Sequence, residues 1–349
     1  RFKSFRSDQK TAENEGFWSA PEPLSFRKNT LWANVGKMTE PDEAQSSTGG
    51  LPLSNIFLVL LLGVMWGLNW PAIRVSVLEI EPWTFRTICL GAGASMLVMV
   101  ALARKQSLWV PRGEIFPLIA VGLLNVTAYH MLTAYGLTRM DAGRGTILTF
   151  TFPLWSVLLG TVVLKERITR ERFAALLLGL SAMVLLIGPD MGAMSHSPVG
   201  GLLLIAAAIA WACATLLMKS RHWSIGSIEL ATWQLIIGFV PIAIGTLFIG
   251  EPPDFTKLSN SAWIGLIYGS AIAVGFGQWI WFRILETTPS AVASLSTLAV
   301  PIVGVFSAGW LLSEQIGWRE VCALLLVVLS LFLVLIGRGG ARAILRVFK

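Results

Sequence analysis

Residues 135–168 read YGLTRMDAGRGTILTFTFPLWSVLLGTVVLKERI, and they decide the fold because the stretch occurs twice. A shift of 148 positions lays it without a gap on residues 283–316, RILETTPSAVASLSTLAVPIVGVFSAGWLLSEQI. Aliphatic matches between two apolar segments carry little weight. A proline and a glutamate, however, stand thirteen residues apart in both copies, as Pro153 with Glu166 and as Pro301 with Glu314. The chain is therefore predicted to contain an internal duplication.

The composition is that of an integral membrane protein. Of the 349 residues 54% are hydrophobic and only 13% are charged, whereas a soluble protein carries about 25% charged residues. The net charge of +7 does not predict a nucleic-acid partner, because the basic residues lie mostly between apolar runs, where lipid head groups and topology explain them. The three cysteines (Cys89, Cys213 and Cys322) each fall inside an apolar run, which predicts neither a disulfide framework nor a metal site.

Ten apolar runs have about the 20 residues that a membrane-spanning helix needs. They are predicted at 54–74, 83–103, 115–136, 143–164, 171–189, 199–219, 229–249, 261–283, 290–312 and 318–337. Because each copy holds five runs, an odd number, the second copy enters the membrane from the opposite side. The predicted fold is an all-α integral membrane protein with ten transmembrane helices in two inverted five-helix repeats around a central cavity.

The domain boundaries follow from these runs. Residues 51–190 are predicted to form the first repeat, 198–337 the second repeat, and 338–349 a basic cytoplasmic tail. Residues 1–50 are polar and are predicted to be a disordered tail. Within that tail, residues 1–37 are predicted to lie upstream of a natural start at Met38.

Charge placement predicts a multi-pass protein of the cell (plasma) membrane with both termini in the cytoplasm. Connections assigned to the inside carry more Lys and Arg than those outside. The duplicated stretch agrees, because Lys165 and Arg167 become Ser313 and Gln315 in the second copy while the glutamate between them persists. Loss of only the cations is expected of a motif whose copy faces outward.

Polar and aromatic side chains inside the runs mark the candidate site, because polar groups in hydrocarbon are costly and usually face a cavity or a partner. Trp66 and Asn69 share one face of the first run; the alternative is an interfacial Trp belt with Asn69 bonded to a neighbouring helix. The 148-residue shift places His130 on Gln278, so the two groups are predicted to face each other at the centre. The predicted substrate-binding residues are Trp66, Asn69, Tyr129, His130, Thr146, Thr149, Trp211, Thr215, Gln278, Trp281 and Ser294.

Several of these side chains have a second interpretation. His130 either takes up a proton in a transport cycle or makes a neutral hydrogen bond between helices. Each threonine or serine hydroxyl either bonds a substrate or bonds back to a carbonyl of its own helix, and the second option is favoured.

Five further residues are assigned gating or structural roles: Arg86, Pro153, Glu166, Pro301 and Glu314. Arg86 either neutralises an anionic group of the substrate or snorkels to the lipid head groups. The two glutamates lie at helix ends, where they pair with nearby cations or cap an adjacent helix. The two prolines are predicted to bend their helices beside the pocket.

The sequence lacks the motifs of several other protein classes. No G-x-x-x-x-G-K-[ST] phosphate loop occurs, which argues against ATP-driven pumping, and no H-E-x-x-H, G-x-S-x-G or Cys/His cluster occurs. One intramembrane histidine without an intramembrane carboxylate is a poor start for an enzyme. We therefore predict no catalytic residue, no metal and no cofactor.

These features resemble the EamA family of the drug/metabolite transporter superfamily. The resemblance rests on WGLNW at Trp66–Trp70, on the P-x11-K-E-R ending of the fourth run and on the P-x12-E ending of the ninth, and it covers residues 51–338. It implies a cavity lined by runs 1, 3, 4, 6, 8 and 9, with runs 5 and 10 peripheral. It also implies export of amino acids or other small metabolites. Ser313 departs from the family pattern, which has a basic residue before the glutamate.

The predicted function is that of a secondary transporter, an exporter of small organic metabolites such as amino acids that works by alternating access. Its predicted partners are a small-molecule substrate and the lipid bilayer, with proton coupling and the choice between monomer and homodimer left open. The alternatives are a membrane-embedded enzyme acting on lipid-like substrates and a non-transporting membrane scaffold.

Overall fold

A computed structural model of the chain describes residues 53–164, 169–192, 198–287 and 290–347, and these residues form helices and connections without a β-strand. The prediction of an all-α protein is confirmed. The predicted tail 1–50 and Glu166 lie outside the described residues, and so does the side chain of Ser294.

The helical stretches are numbered in chain order. They are α1 (Leu53–Val77), α2 (Pro82–Ala103), α3 (Arg112–Gly122 and Tyr129–Leu137, joined by the π-helix Leu123–Ala128), α4a (Ala142–Thr149), α4b (Phe152–Leu164), α5 (Arg170–Gly192), α6 (Val199–Lys219), α7 (Ser227–Phe248), α8 (Asn260–Ile267 and Gly277–Thr287, joined by the π-helix Tyr268–Phe276), α9 (Ser290–Leu312) and α10 (Trp318–Val347).

Seven spans in the described part of the chain are long and apolar enough to cross a membrane: those of α1, α2, α3, α4a with α4b, α6, α7 and α8. Two shorter apolar stretches, Phe173–Leu186 and Thr297–Leu312, lie in α5 and α9. The set of ten transmembrane helices stays a prediction.

Local chemistry sets where several helices begin. Glu81 precedes α2 and accepts hydrogen bonds from the backbone N–H groups of Trp83 (2.8 Å) and Thr84 (3.2 Å), while Pro82 takes the first helical position, where no N–H is needed. Ser259 caps α8 by accepting from the N–H of Ala262 at 3.2 Å. Such caps satisfy backbone donors that a helix start leaves unpaired.

Two irregularities interrupt the spans. The first lies between α4a and α4b, directly before Pro153, whose ring lacks an N–H and clashes with the carbonyl four residues earlier. Pro301, its partner under the 148-residue shift, lies inside the continuous helix α9. The second is the pair of π-helices, which occupy corresponding positions under the same shift because residues 123–128 map onto 271–276.

The helices pack in a pattern that repeats under exchange of the two halves. α1 packs on α8 and α9, and its counterpart α6 packs on α3 and α4. α2 contacts α8 as α7 contacts α3, while α2 pairs with α7 and α5 pairs with α10. Close approach needs glycine where α1 meets α9, because a Cβ at Gly67 would lie 3.1 Å from the carbonyl oxygen of Val300.

Candidate substrate site

Rings from α3, α4a, α6 and the connection after α4a gather at one place. Trp211 of α6 stacks on Phe152 with ring centroids 3.8 Å apart, and it meets Phe150 edge-on at 6.0 Å. Tyr129 of α3 lies 5.4 Å from Trp211 and 5.1 Å from His130. We call Tyr129, His130, Phe150, Phe152 and Trp211 the aromatic cluster. Its rings offer a flat apolar surface within the protein.

A second ring pair joins α1 to α8. Trp66 and Trp281 lie 5.7 Å apart between ring centroids, and the indole N–H of Trp66 donates to the carbonyl oxygen of Ala273 at 3.2 Å. That carbonyl belongs to the π-helix of α8. Gln278 is half-buried in the helical turn that follows. Within the described residues no hydrogen bond or ring contact joins Gln278 to His130, so the predicted direct pairing of the two is absent there.

Three of the predicted polar residues carry a buried atom without a hydrogen-bond partner. These atoms are the side-chain oxygen of Asn69, Nδ1 of His130 and the hydroxyl of Thr149. Thr149 is fully buried. Leaving such an atom unpaired costs about 1–3 kcal/mol. A ligand that supplied hydrogen bonds here would recover that free energy.

The remaining predicted hydroxyls bond to their own helices. Thr146 donates to the carbonyl of Ala142 at 2.7 Å, and Thr215 donates to the carbonyl of Trp211 at 2.9 Å. A Cβ at Gly304 of α9 would also press on Thr146, so this hydroxyl sits in a tight contact between α4a and α9. In this conformation both hydroxyls have the backbone bonds that were the favoured interpretation.

Arg86 of α2 lies beside the aromatic cluster. The residue is 2% exposed, and its Nε donates to the backbone carbonyl of His130 at 3.0 Å. Nη2 lies 3.5 Å from the hydroxyl of Thr133, and the guanidinium carbon stands 5.2 Å from the ring centre of Phe85. Burial of this kind does not fit an arginine that snorkels to the head groups.

Contacts between the two halves concentrate where α4a begins. Both carboxylate oxygens of Glu314 accept backbone hydrogen bonds there, from Ala142 at 2.8 Å and from Gly143 at 2.9 Å. The neighbouring Arg144 forms an ion pair with the buried Glu320 of α10 at 2.9 Å. We call these five residues the α4–α10 junction. Burial raises the pKa of the Glu314 carboxyl, although the two backbone N–H groups act in the opposite direction.

Sequence reasoning missed part of this arrangement. Phe150 and Phe152 were counted only as apolar residues of a lipid-facing type, yet both contact Trp211. Their position next to Pro153 was the available signal, because a helix that breaks at a proline presents the preceding side chains in a new direction. The π-helices had no signal in the residue pattern.

Comparison with known proteins identifies the family. The EamA-like transporter family matches residues 53–188 and again residues 198–336, which together exceed half of the chain. The uncharacterized transporter YoaV of Bacillus subtilis is 24% identical over 79% of this chain and 94% of its own length. A protein of Salmonella typhimurium named "Probable amino-acid metabolite efflux pump" is 25% identical over 80% of this chain and 94% of its own length.

A solved structure described only as a protein crystal structure shares the fold, with a TM-score of 0.55 and 20% identity over 79% of this chain and 95% of that one. Apolar helices of spanning length and two matches to one transporter family agree with each other. They indicate a multi-pass membrane protein that transports rather than catalyses. The chain belongs to the EamA-like transporter family.

Proposed function

We propose that this chain is a secondary transporter that exports a small organic metabolite, such as an amino acid, by alternating access around the aromatic cluster. The observation that carries the proposal is the set of unpartnered polar atoms of Asn69, His130 and Thr149. A structural core satisfies its polar atoms, whereas a site that must bind and release a ligand leaves some of them free for it. The aromatic rings beside His130 supply the matching apolar surface.

The packing supports two inverted repeats of five transmembrane helices. Exchange of the halves maps the contacts of α1 onto those of α6 and maps the π-helix of α3 onto that of α8. The family also matches the chain twice, over 53–188 and 198–336. Repeats that enter the membrane from opposite sides allow the same motion to open the site first to one side and then to the other.

The orientation follows from the basic connections. With both termini in the cytoplasm of a plasma membrane, the α4–α10 junction lies on the external side, because α4a begins and α9 ends there. Relatives named as amino-acid metabolite efflux pumps support an amino acid as the cargo and outward movement as the direction. Proton coupling through His130 and the choice between monomer and homodimer are the open parts of this proposal.

Reconstituted flux tests the function. Purified protein in liposomes is expected to exchange one or more labelled metabolites from a broad panel that includes the amino acids. Trp211→Ala should reduce that exchange, since Trp211 contacts three other rings of the aromatic cluster. Trp310→Ala is the matched control, because Trp310 is 82% exposed on α9. Absence of flux across the whole panel would contradict the proposal.

A further inference from the structure

The strongest unexplained feature of the molecule is the charge of Arg86. Its side chain is buried to the same degree as the apolar core of α2, where Phe85, Cys89 and Leu90 are fully enclosed. Arginine keeps its charge in proteins. A buried charge is tolerated when an opposite charge or a full set of hydrogen bonds offsets the loss of water.

The described residues provide no opposite charge. The ion pairs among them join Arg74 to Asp141, Arg144 to Glu320 and Lys257 to Asp254, and none includes Arg86. Its printed partners are a carbonyl, a hydroxyl and the face of an aromatic ring, all of them neutral. A guanidinium has five N–H donors, and the two hydrogen bonds from Nε and Nη2 leave donors on the group unused.

The location of Arg86 connects this charge to the candidate site. The Nε bond ends on His130, whose backbone carbonyl lies in the turn directly after the π-helix of α3. His130 also belongs to the aromatic cluster, through its contact with Tyr129. Asn69 approaches the same part of α2, because a Cβ at Gly269 would lie 3.8 Å from the Asn69 oxygen, 3.6 Å from Phe85 and 3.3 Å from Cys89.

We infer that Arg86 binds the carboxylate of the transported substrate and so selects substrates that carry one. A carboxylate matches the planar fork of a guanidinium and can accept two of its hydrogen bonds. The unpartnered oxygen of Asn69 and Nδ1 of His130, which accepts when Nε2 carries the proton, are acceptors suited to the ammonium group of the same molecule. The substrate class is an α-amino acid with an apolar side chain. This inference rests on the proposed function.

Leucine and leucinamide provide the test, because they share the side chain and the amino group and differ in the carboxylate. Counterflow of both is measured in liposomes that contain wild-type protein, Arg86→Gln or Arg86→Lys. Wild-type protein is expected to prefer leucine by at least about tenfold in KM, the effect of losing a hydrogen bond to a charged group. Arg86→Gln should remove this preference, and Arg86→Lys, which retains the charge, should restore part of it.

The preference ratio separates selection from folding. A purely structural role of Arg86 in joining α2 to α3 predicts that the variants lose leucine and leucinamide flux equally. That result, or a wild-type protein without preference for leucine, would overturn the inference. The wild-type ratio decides even if both variants fail to fold. Flux of other metabolites without flux of either probe would overturn the inference and leave the proposed function standing, whereas no flux across the panel would overturn the proposed function itself.

Discussion

Replacing Glu314 by alanine is expected to open the α4–α10 junction. Both carboxylate oxygens of Glu314 accept hydrogen bonds from the first N–H groups of α4a, and Asp141, the residue before that helix, makes no side-chain cap of its own. Glu314 therefore acts as the cap of α4a from the other half of the chain. Loss of a helix cap costs about 0.5–2 kcal/mol. The open population should rise about 2- to 30-fold.

Cysteine labelling measures this opening. Ala308 of α9 is fully buried, and it lies 3.7 Å from the point where a Cβ at Gly143 would stand. Ala308→Cys, in a background without Cys89, Cys213 and Cys322, reports each opening through its rate of reaction with a thiol reagent. Purified protein in detergent is used, so that the result does not depend on the orientation in the membrane.

Two further variants make the measurement decisive. Glu314→Gln retains an acceptor for one N–H, so it should speed labelling less than Glu314→Ala does. Glu79→Gln is the matched control, because Glu79 also accepts a backbone hydrogen bond in a connection, from Ser259 at 2.8 Å, but lies away from the junction. An unchanged labelling rate in a folded Glu314→Ala protein would refute the capping argument.

The same assay predicts a pH dependence with a definite sign. Burial in the closed junction raises the pKa of Glu314 above its ordinary value of 4.5, with Asp141 acting in the same direction and Arg74 against it. Closing therefore takes up a proton. This contribution favours the closed junction fully below the ordinary pKa and is lost as the pH rises through the raised pKa. Labelling should slow on acidification across that window, and Glu314→Gln should remove the effect.

Three other substitutions test the candidate site. Trp211→Ala should raise KM by about 2- to 10-fold for each ring contact that the substrate or the cluster loses, with Trp310→Ala as the control. Asn69→Leu should remove transport and yet raise the free energy of unfolding of the ligand-free protein by about 1 kcal/mol, measured by thermal melting, because it replaces an unpartnered oxygen; a loss of stability would contradict that accounting. His130→Gln should leave flux measurable and abolish its dependence on pH around 6.5 if the imidazole carries the proton; an unchanged pH profile would end that role.

Hydropathy was sufficient to predict an all-α membrane protein, because lipid requires long apolar runs whose backbone groups bond internally. It was not sufficient to predict where those runs deviate from a regular α-helix. The run predicted at 143–164 divides before Pro153, while α9 continues through Pro301. Both prolines break the same local rule, so the difference depends on the packing around each helix, which the residue pattern does not contain.

Polarity selected side chains that the structure then places differently. Trp66 and Trp281 form a ring pair between α1 and α8, and Tyr129 lies next to Trp211. Sequence alone could not tell that Thr146 bonds to its own helix while Thr149, three residues further, bonds to nothing in the described structure. Their difference follows from the end of α4a at Thr149. Hydroxyl pairing is decided by such ends, which periodicity does not locate.

The distribution of satisfied and unsatisfied groups gives a physical reason to place the site next to α2 and α3. Elsewhere the polar contacts are closed: Glu81 caps α2, Glu314 caps α4a and Arg144 is paired with Glu320. Beside the aromatic cluster the same rules are broken, because Arg86 has no carboxylate among the described residues and His130 Nδ1 has no partner. Each exception costs stability, and a ligand that bears both an anionic and a hydrogen-donating group would offset several of them at once. A protein that transports such a ligand must bear that cost whenever its site is empty, since a site satisfied by its own residues would have no free energy left for binding.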